Sequence, residues 1–337
     1  MVVNLGGTPS HGVVRDGITI LQNLAHRGAA GADETTGDGA GLLIQTPDTF
    51  LREVMADAGV DLPPPGSYAV AMVFLSRDAR RRTGAEISLE SVLAERGHEL
   101  LGWRDVPTVP EALGDTARSK EPVIRQLFVK RAAHLPDVDA FERDLYLTRK
   151  ISADQAIRSG LRIPDDLYVV SLSARTLTYK GLLLADQITR YFPDLTDARV
   201  ASAIALVHQR FSTNTFPEWH LAQPFRFLAH NGEINTLEGN TIAMRSRAPL
   251  LKHDLWGREV RKIRPIMLPG ASDSASLDNV LELLTRSGRE LPHAMRMLIP
   301  PAWEQDPDLD ADSRGFFAFH AGLMEPWDGP AAVAFTD

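Results

Sequence analysis

The chain has no cysteine in its 337 residues. Disulfides, thiolate zinc sites and iron–sulfur ligation within this polypeptide are therefore excluded. Long apolar runs are also missing, since no stretch approaches the ~20 residues that a membrane-spanning helix needs. The N-terminus lacks a basic segment followed by an apolar run, so the sequence is expected to be cytoplasmic, with no membrane partner. Positive charge is in deficit: 36 Lys and Arg against 44 Asp and Glu give a formal net charge of -8. That balance argues against a nucleic-acid partner, which would need a basic face to neutralise phosphates. A locally basic patch such as Arg77-Asp78-Ala79-Arg80-Arg81-Arg82 reads as a solvated helix face.

What is present suits a folded protein with a sizeable core. At 44% hydrophobic and 24% charged, the composition is ordinary for a globular chain, and the length alone allows about two or three domains. Val14, Ile18, Leu21 and Ala25 recur at helical spacing, and Arg27-Gly28 closes the pattern near His26. A Gly-flanked apolar strand is expected over 39–45, followed by a helix capped by Asp48. Segments 67–75 and 167–173 read as buried strands, 87–96 and 140–159 as helices, and 201–207 as an apolar run that delivers His208-Gln209-Arg210. With no repeat and no flexible linker, this pattern reads as one unit of mixed helices and strands. Segment 331–335 reads as a strand that lacks a partner, so the C-terminus looks unfinished.

The densest chemistry lies between Arg210 and Asn240. Arg210, just after a buried strand, is placed for bidentate capture of a carboxylate, with the Thr213 hydroxyl close by. Asn231 and Gly232 offer a side-chain amide and an accessible backbone N–H. These are the two donor types of an oxyanion hole, where each is worth ~3 kcal/mol. Asp273, among small residues before a helical pattern, either meets a ligand ammonium or caps that helix. Plainer readings stand beside these. Asn-Gly is a common turn former, and a lone Arg at a strand end is commonly a surface residue. His208 and His230 lack any metal-ligand spacing, so no metal is expected and both read as core or hydrogen-bonded histidines. Gly37-Asp38-Gly39-Ala40-Gly41 resembles a phosphate loop only in glycine content.

Taken in order along the chain, these pieces resemble the N-terminal class II glutamine amidotransferase (glutaminase) domain of the glutamate synthase large subunit. The motifs that carry the resemblance are His26-Arg27-Gly28-Ala29, Thr36-Gly37-Asp38-Gly39-Ala40-Gly41, Tyr179-Lys180-Gly181, and the run from His208 through Arg210, Phe211 and Thr213 to Pro217. They continue with Ala229-His230-Asn231-Gly232-Glu233-Ile234-Asn235-Thr236, Ser272-Asp273-Ser274, and Glu325-Pro326-Trp327-Asp328-Gly329-Pro330. Amidophosphoribosyltransferase and asparagine synthetase share only the sparser Arg, Asn-Gly and Asp features.

The resemblance implies an α+β fold, the N-terminal-nucleophile hydrolase αββα sandwich of two antiparallel sheets between helices, with 1–337 forming one amidotransferase domain. It assigns Arg210 to the glutamine α-carboxylate, Asp273 to its α-ammonium, and Asn231 with Gly232 to the oxyanion hole. Thr213 and Arg27 line the same pocket. The implied nucleophile is an N-terminal cysteine whose own α-amine acts as base, but Met1 stands past the place where that cysteine would lie. This chain is therefore expected to lack the N-terminal cysteine segment, the C-terminal part of its domain, and turnover. The implied setting is an enzyme that passes ammonia to 2-oxoglutarate to make glutamate. Its synthase domains would carry FMN and a 3Fe-4S cluster, with a small NADPH-oxidising subunit as a further partner and no cofactor in this piece. Two alternatives remain, an amidotransferase domain of another class II enzyme and a non-catalytic glutamine-binding module.

Overall fold

A computed structural model describes residues 1–28, 33–210 and 216–336. The chain divides into two compact units, Met1–Ala229 and His230–Thr336. The first unit runs β1 (Val2–Val3), α1 (His11–Asn23), β2 (Ala40–Gln45), α2 (Asp48–Ala56), β3 (Tyr68–Leu75), α3 (Ala79–Glu95), β4 (Glu99–Asp105) and α4 (Asp115–Ser119). It continues with β5 (Val123–Lys130), α5 (Val138–Arg158), β6 (Leu167–Ser173), β7 (Thr176–Gly181), α6 (Ile188–Tyr191) and β8 (Ile204–Gln209). The second holds β9 (Leu228–Gly232, which starts at the end of the first unit), α7 (Leu237–Arg247), α8 (Asp273–Arg286), α9 (Leu291–Leu298), α10 (Ala311–Ala321) and β10 (Ala331–Phe335).

Two four-stranded antiparallel sheets, ordered β1-β8-β2-β7 and β4-β5-β3-β6, make the first unit an α+β structure. Periodicity along the chain registers helices and strands but carries no information on strand direction, so the antiparallel pairing follows from the family resemblance alone. Strand β3 shows how the layers arise. Its eight residues are all buried, and because successive side chains point to opposite faces, they feed two cores. Val70, Met72 and Phe74 join a cluster with Leu42 and Ile44 of β2 and Leu177 and Tyr179 of β7. Ala69, Ala71, Val73 and Leu75 pack with Leu89 of α3 and Phe141 and Leu145 of α5. One sheet thus lies between a helical layer and a core shared with the other sheet. Helix α1 packs on β8, where a Cβ added at Gly17 would fall 2.8 Å from the Ala205 Cβ.

The chain crosses from one sheet to the other between β6 and β7, through Ala174 and Arg175. The buried Glu142 of α5 fixes this crossing by accepting from the Ser173 hydroxyl and the Ala174 N–H, both at 2.7 Å. Ser173 Oγ accepts in turn from the Arg175 N–H at 2.9 Å. A buried carboxylate is tolerated here because its lone pairs are taken up by donors at the turn.

Several sequence expectations shift in detail. Asp48 is the first residue of α2 rather than its cap; Pro47 occupies the cap, and the Asp48 carboxylate accepts from Arg52 at 3.0 Å and from the Tyr68 hydroxyl at 2.9 Å. Helix α3 starts eight residues before the expected 87, capped by Asp78, whose side chain accepts from the Arg81 N–H at 2.9 Å. The basic run there is a solvated face, with Arg81 paired to Asp166 at 2.7 Å and Arg77 to Glu121 at 3.1 Å. Segment 331–335 does find a partner, for β10 is hydrogen-bonded to β9. Among the described residues no helix is long and apolar enough to cross a membrane.

Phe141 is 0% exposed in the core between sheet and helices. Phe141→Ala is expected to destabilise the chain by about 3–5 kcal/mol, since it removes the transfer free energy of the ring and leaves a cavity. Urea unfolding measures the loss, and a change below about 1 kcal/mol would contradict this packing.

Candidate active site

Strand β8 pairs with β2 from Ile44↔Ala205 to Ala40↔Gln209, and the ladder ends where the Arg210 N–H donates to the Gly39 carbonyl at 2.7 Å. Arg210 is thereby set on a rigid strand end, and at 7% exposure its guanidinium is held within the protein rather than in bulk water. The glycine-rich stretch 37–41 is consequently a strand entry that anchors Arg210, not a phosphate cradle. Arg27 ends the 3-10 turn Ala25–Arg27, and the following Gly28 lies so close to Gln209 that an added Cβ would sit 1.9 Å from its Nε2. A larger residue there would have to displace the Gln209 side chain. Gly28, which follows Arg27, thus lies against the side chain of Gln209, which precedes Arg210. Thr213 lies outside the described residues.

Lys180, on β7 beside β2, is buried, and its Nζ donates to the carbonyls of His220 at 2.9 Å and Ala222 at 2.6 Å. The ammonium lies 4.6 Å from the Phe225 ring centroid and 5.3 Å from that of Tyr168. A buried cation ringed by carbonyls and aromatic faces is well satisfied, so Lys180 positions segment 219–225 and is a poor candidate for proton transfer. The sequence singled out Tyr179-Lys180-Gly181 but gave no sign of this role. Burial pushes the His220 imidazole down to about 4, with the Lys180 and Arg210 cations adding to the effect. Their contribution places His220 in the same electrostatic field as Arg210.

In the second unit, Asn231 and Gly232 are the last residues of β9 and both are exposed. The turn reading of Asn-Gly is overturned, because the pair lies in a strand. Glycine is needed for another reason: Gly232 has φ 141°, and an added Cβ would sit 1.8 Å from the Pro330 carbonyl oxygen. The Glu325–Pro330 motif grips this segment. Glu233 N–H donates to Pro330 O at 3.0 Å, Asn235 N–H to Asp328 O at 2.8 Å, and Asp328 N–H to the Thr236 hydroxyl at 3.0 Å.

Helix α8 is capped by Ser272, whose hydroxyl accepts from the Ala275 N–H at 3.2 Å. The capping reading of Asp273 is therefore wrong: Asp273 is the first helical residue, and its carboxylate faces β9. Its Oδ2 accepts from the Ile234 N–H at 3.0 Å, and its Oδ1 from the Ser274 N–H at 2.7 Å and hydroxyl at 3.2 Å. A carboxylate offers about four acceptor positions, so three fixed donors orient it and leave capacity for a further cation. His230 is buried, bonds Ser274 Oγ through Nδ1 at 2.8 Å, and lies 3.9 Å from Asp273. Burial lowers its pKa, and the Asp273 charge opposes that shift. It is a hydrogen-bonded histidine, as expected. Asn231, Gly232 and Asp273 thus share one corner of the second unit. Ser272 and Ser274 were visible as small polar residues flanking an acid, but their division of labour was not.

The depressed His220 gives a pH test. Its folded value of about 4 lies below the ordinary 6.5, so the unfolded chain binds more protons between these values and stability rises with pH across that window. As pH falls from 6.5 to 4 the chain loses an upper limit of about 3 kcal/mol through this group. In His220→Gln the slope of melting temperature against pH between 4 and 6.5 is expected to flatten. An unchanged slope would contradict the burial of a neutral imidazole.

The chain matches the family "Glutamine amidotransferases class-II" over residues 1–337. It is 42% identical over 337 residues to the glutamate synthase (NADPH) large chain of Bacillus subtilis, covering 100% of this chain and 22% of that one. It is 44% identical over 347 residues to the glutamate synthase (NADH) of Saccharomyces cerevisiae, covering 100% of this chain and 16% of that one. Against the ferredoxin-dependent glutamate synthase 2, chloroplastic, of Arabidopsis thaliana, identity is 41% over 339 residues, with 100% and 21% covered. These relatives are far longer, the chain spanning about a fifth of their length. From the family match over its whole length and its identity to these enzymes, the chain belongs to the class II glutamine amidotransferases, enzymes of the N-terminal-nucleophile hydrolase fold.

Proposed function

We propose that this chain is the glutamine-binding part of a glutamate synthase. Arg210 receives the α-carboxylate of glutamine and Asp273 its α-ammonium, while the Asn231 side-chain amide and the Gly232 N–H stabilise the oxyanion of the attacked carboxamide. By the family resemblance, Arg27 and Thr213 would also contact the glutamine. The observation that supports this most is the Asp273 carboxylate, held by the Ile234 and Ser274 N–H groups beside the Asn231-Gly232 strand end. Such an arrangement suits an amino acid whose ammonium is fixed while a nearby carbonyl is polarised.

Acyl transfer from glutamine also needs a nucleophile. The 337 residues contain no cysteine, and the Met1 thioether has no ionisable proton and is a poor acyl acceptor. Thr8 and Ser10 carry hydroxyls, but neither has a free α-amine beside it. The chain as given therefore binds glutamine and does not hydrolyse it.

In a complete enzyme, ammonia released here would pass to 2-oxoglutarate, with electrons arriving through FMN and a 3Fe-4S cluster. A cluster needs thiolate ligands, which this chain does not supply, so the cluster belongs to other domains of a longer chain. The relatives' names include NADPH, NADH and ferredoxin, so they do not select a reductant or a small subunit.

Titration calorimetry with glutamine tests the reading. Saturable one-to-one binding is expected. Arg210→Ala should weaken it by about 2 kcal/mol, roughly thirty-fold, whereas Asn231→Ala should change it little, because an oxyanion donor acts mainly in the transition state. No ammonia should appear. Ammonia release that disappears in the Arg210→Ala, Asn231→Ala double variant would contradict the missing-nucleophile claim, and unchanged affinity in a folded Arg210→Ala would contradict the carboxylate assignment.

A further inference from the structure

The second unit contains a cavity of about 350 Å³ between α7, the segment 264–271 and the start of α8. This is the size of a small-molecule site. Its lining is distinctive in charge. Arg245 and Arg264 both face it, with the hydroxyl-bearing Thr241 and Ser276, and among the described residues no carboxylate does. In a chain with a net charge of -8, two guanidinium groups gathered without an acid run against the overall balance. Among the described residues, neither arginine has a carboxylate partner, and the Arg264 Nε is buried without an acceptor. The carbonyl end of α7 favours a cation at Arg245, in its last turn, but supplies nothing to that Nε. A buried N–H donor without an acceptor is costly, and a guanidinium that turns its fork to a carboxylate in the cavity would relieve that cost.

The remaining walls are apolar, including Met244, Ile266 and Leu268. A bare inorganic anion would meet the guanidinium groups and leave those walls uncovered. A carboxylate on a hydrocarbon or aromatic body would use both, with the planar fork of an arginine matched to the carboxylate and the body displacing water from the apolar side. We propose that this cavity is a second ligand site, separate from the glutamine site, for a small carboxylate with an apolar body. It does not depend on the proposed function, because none of its lining residues is placed in the glutamine pocket.

The test is fluorine NMR of the 337-residue chain with 4-fluorobenzoate as probe. Saturable binding is expected, weakened at least ten-fold in Arg264→Met and in Arg245→Met. Circular dichroism confirms that each variant is folded, and two variants guard against one failing to fold. Arg210→Ala should keep the affinity, and excess glutamine should not displace the probe. Inorganic phosphate should compete only weakly. Binding of 4-fluorotoluene as tight as that of 4-fluorobenzoate would overturn the anion-accepting role, and displacement by inorganic phosphate at equal concentration would overturn the apolar one. Loss of the probe in Arg210→Ala but not in folded Arg264→Met or Arg245→Met would show it in the glutamine pocket and overturn the second site. Absence of any binding would overturn it outright.

Discussion

At the end of β8 the Arg210 N–H donates to the Gly39 carbonyl at 2.7 Å, the last rung of a ladder that begins at Ile44↔Ala205. Much of the first unit is arranged around that rung. The pairing of β2 with both β7 and β8 fixes where the strand stops, and the core of Leu42, Ile44, Tyr179 and Val70 holds those strands in register. A one-residue slip would turn every core side chain of β8 outward, so the position of Arg210 is as strongly specified as the core itself. Gly28, the residue after Arg27, lies tight against the Gln209 side chain at that strand end.

The second unit solves a different problem, the orientation of a carboxylate. Asp273 has three donors, two of them backbone N–H groups, and Ser272 takes over the capping of α8 that an Asp so placed would otherwise perform. Freed from the cap, Asp273 faces the Asn231-Gly232 end of β9. The Asp328-Gly329-Pro330 segment closes against β9 so tightly that Gly232 and Gly329 both leave room only for hydrogen, with added Cβ atoms at 1.8 Å and 1.9 Å from facing carbonyl oxygens. Sequence motifs separated by about ninety residues thus form one backbone-to-backbone contact.

Much of this was legible in the sequence where burial and periodicity coincide. The apolar run 167–173 is a strand with those bounds because both its faces are covered. Helix α3 was read eight residues short because Arg80, Arg81 and Arg82 lie on a solvated turn without apolar spacing. Strand direction was not legible from pattern at all, since alternation is the same in parallel and antiparallel ladders. The partner of β10 was missed for a related reason: β9 lies about a hundred residues earlier, and pairing over such a separation leaves no local signal. For the candidate site, Arg210, Asn231, Gly232 and Asp273 are singled out by residue chemistry and family motifs alone. The reasons for Ser272, Ser274 and Lys180 emerged only from hydrogen bonds that no spacing encodes.

If the proposed function holds, a chain without a thiol offers an advantage, because glutamine bound to it would not be consumed. The direct measurement is therefore a crystal structure of this chain soaked with glutamine. The expected result is a glutamine whose α-carboxylate lies within hydrogen-bond distance of the Arg210 guanidinium and whose α-ammonium meets the Asp273 carboxylate, with the side-chain carbonyl directed at the Gly232 N–H. Glutamine bound without contact to Arg210 or Asp273, or with its two ends exchanged, would contradict the assignment.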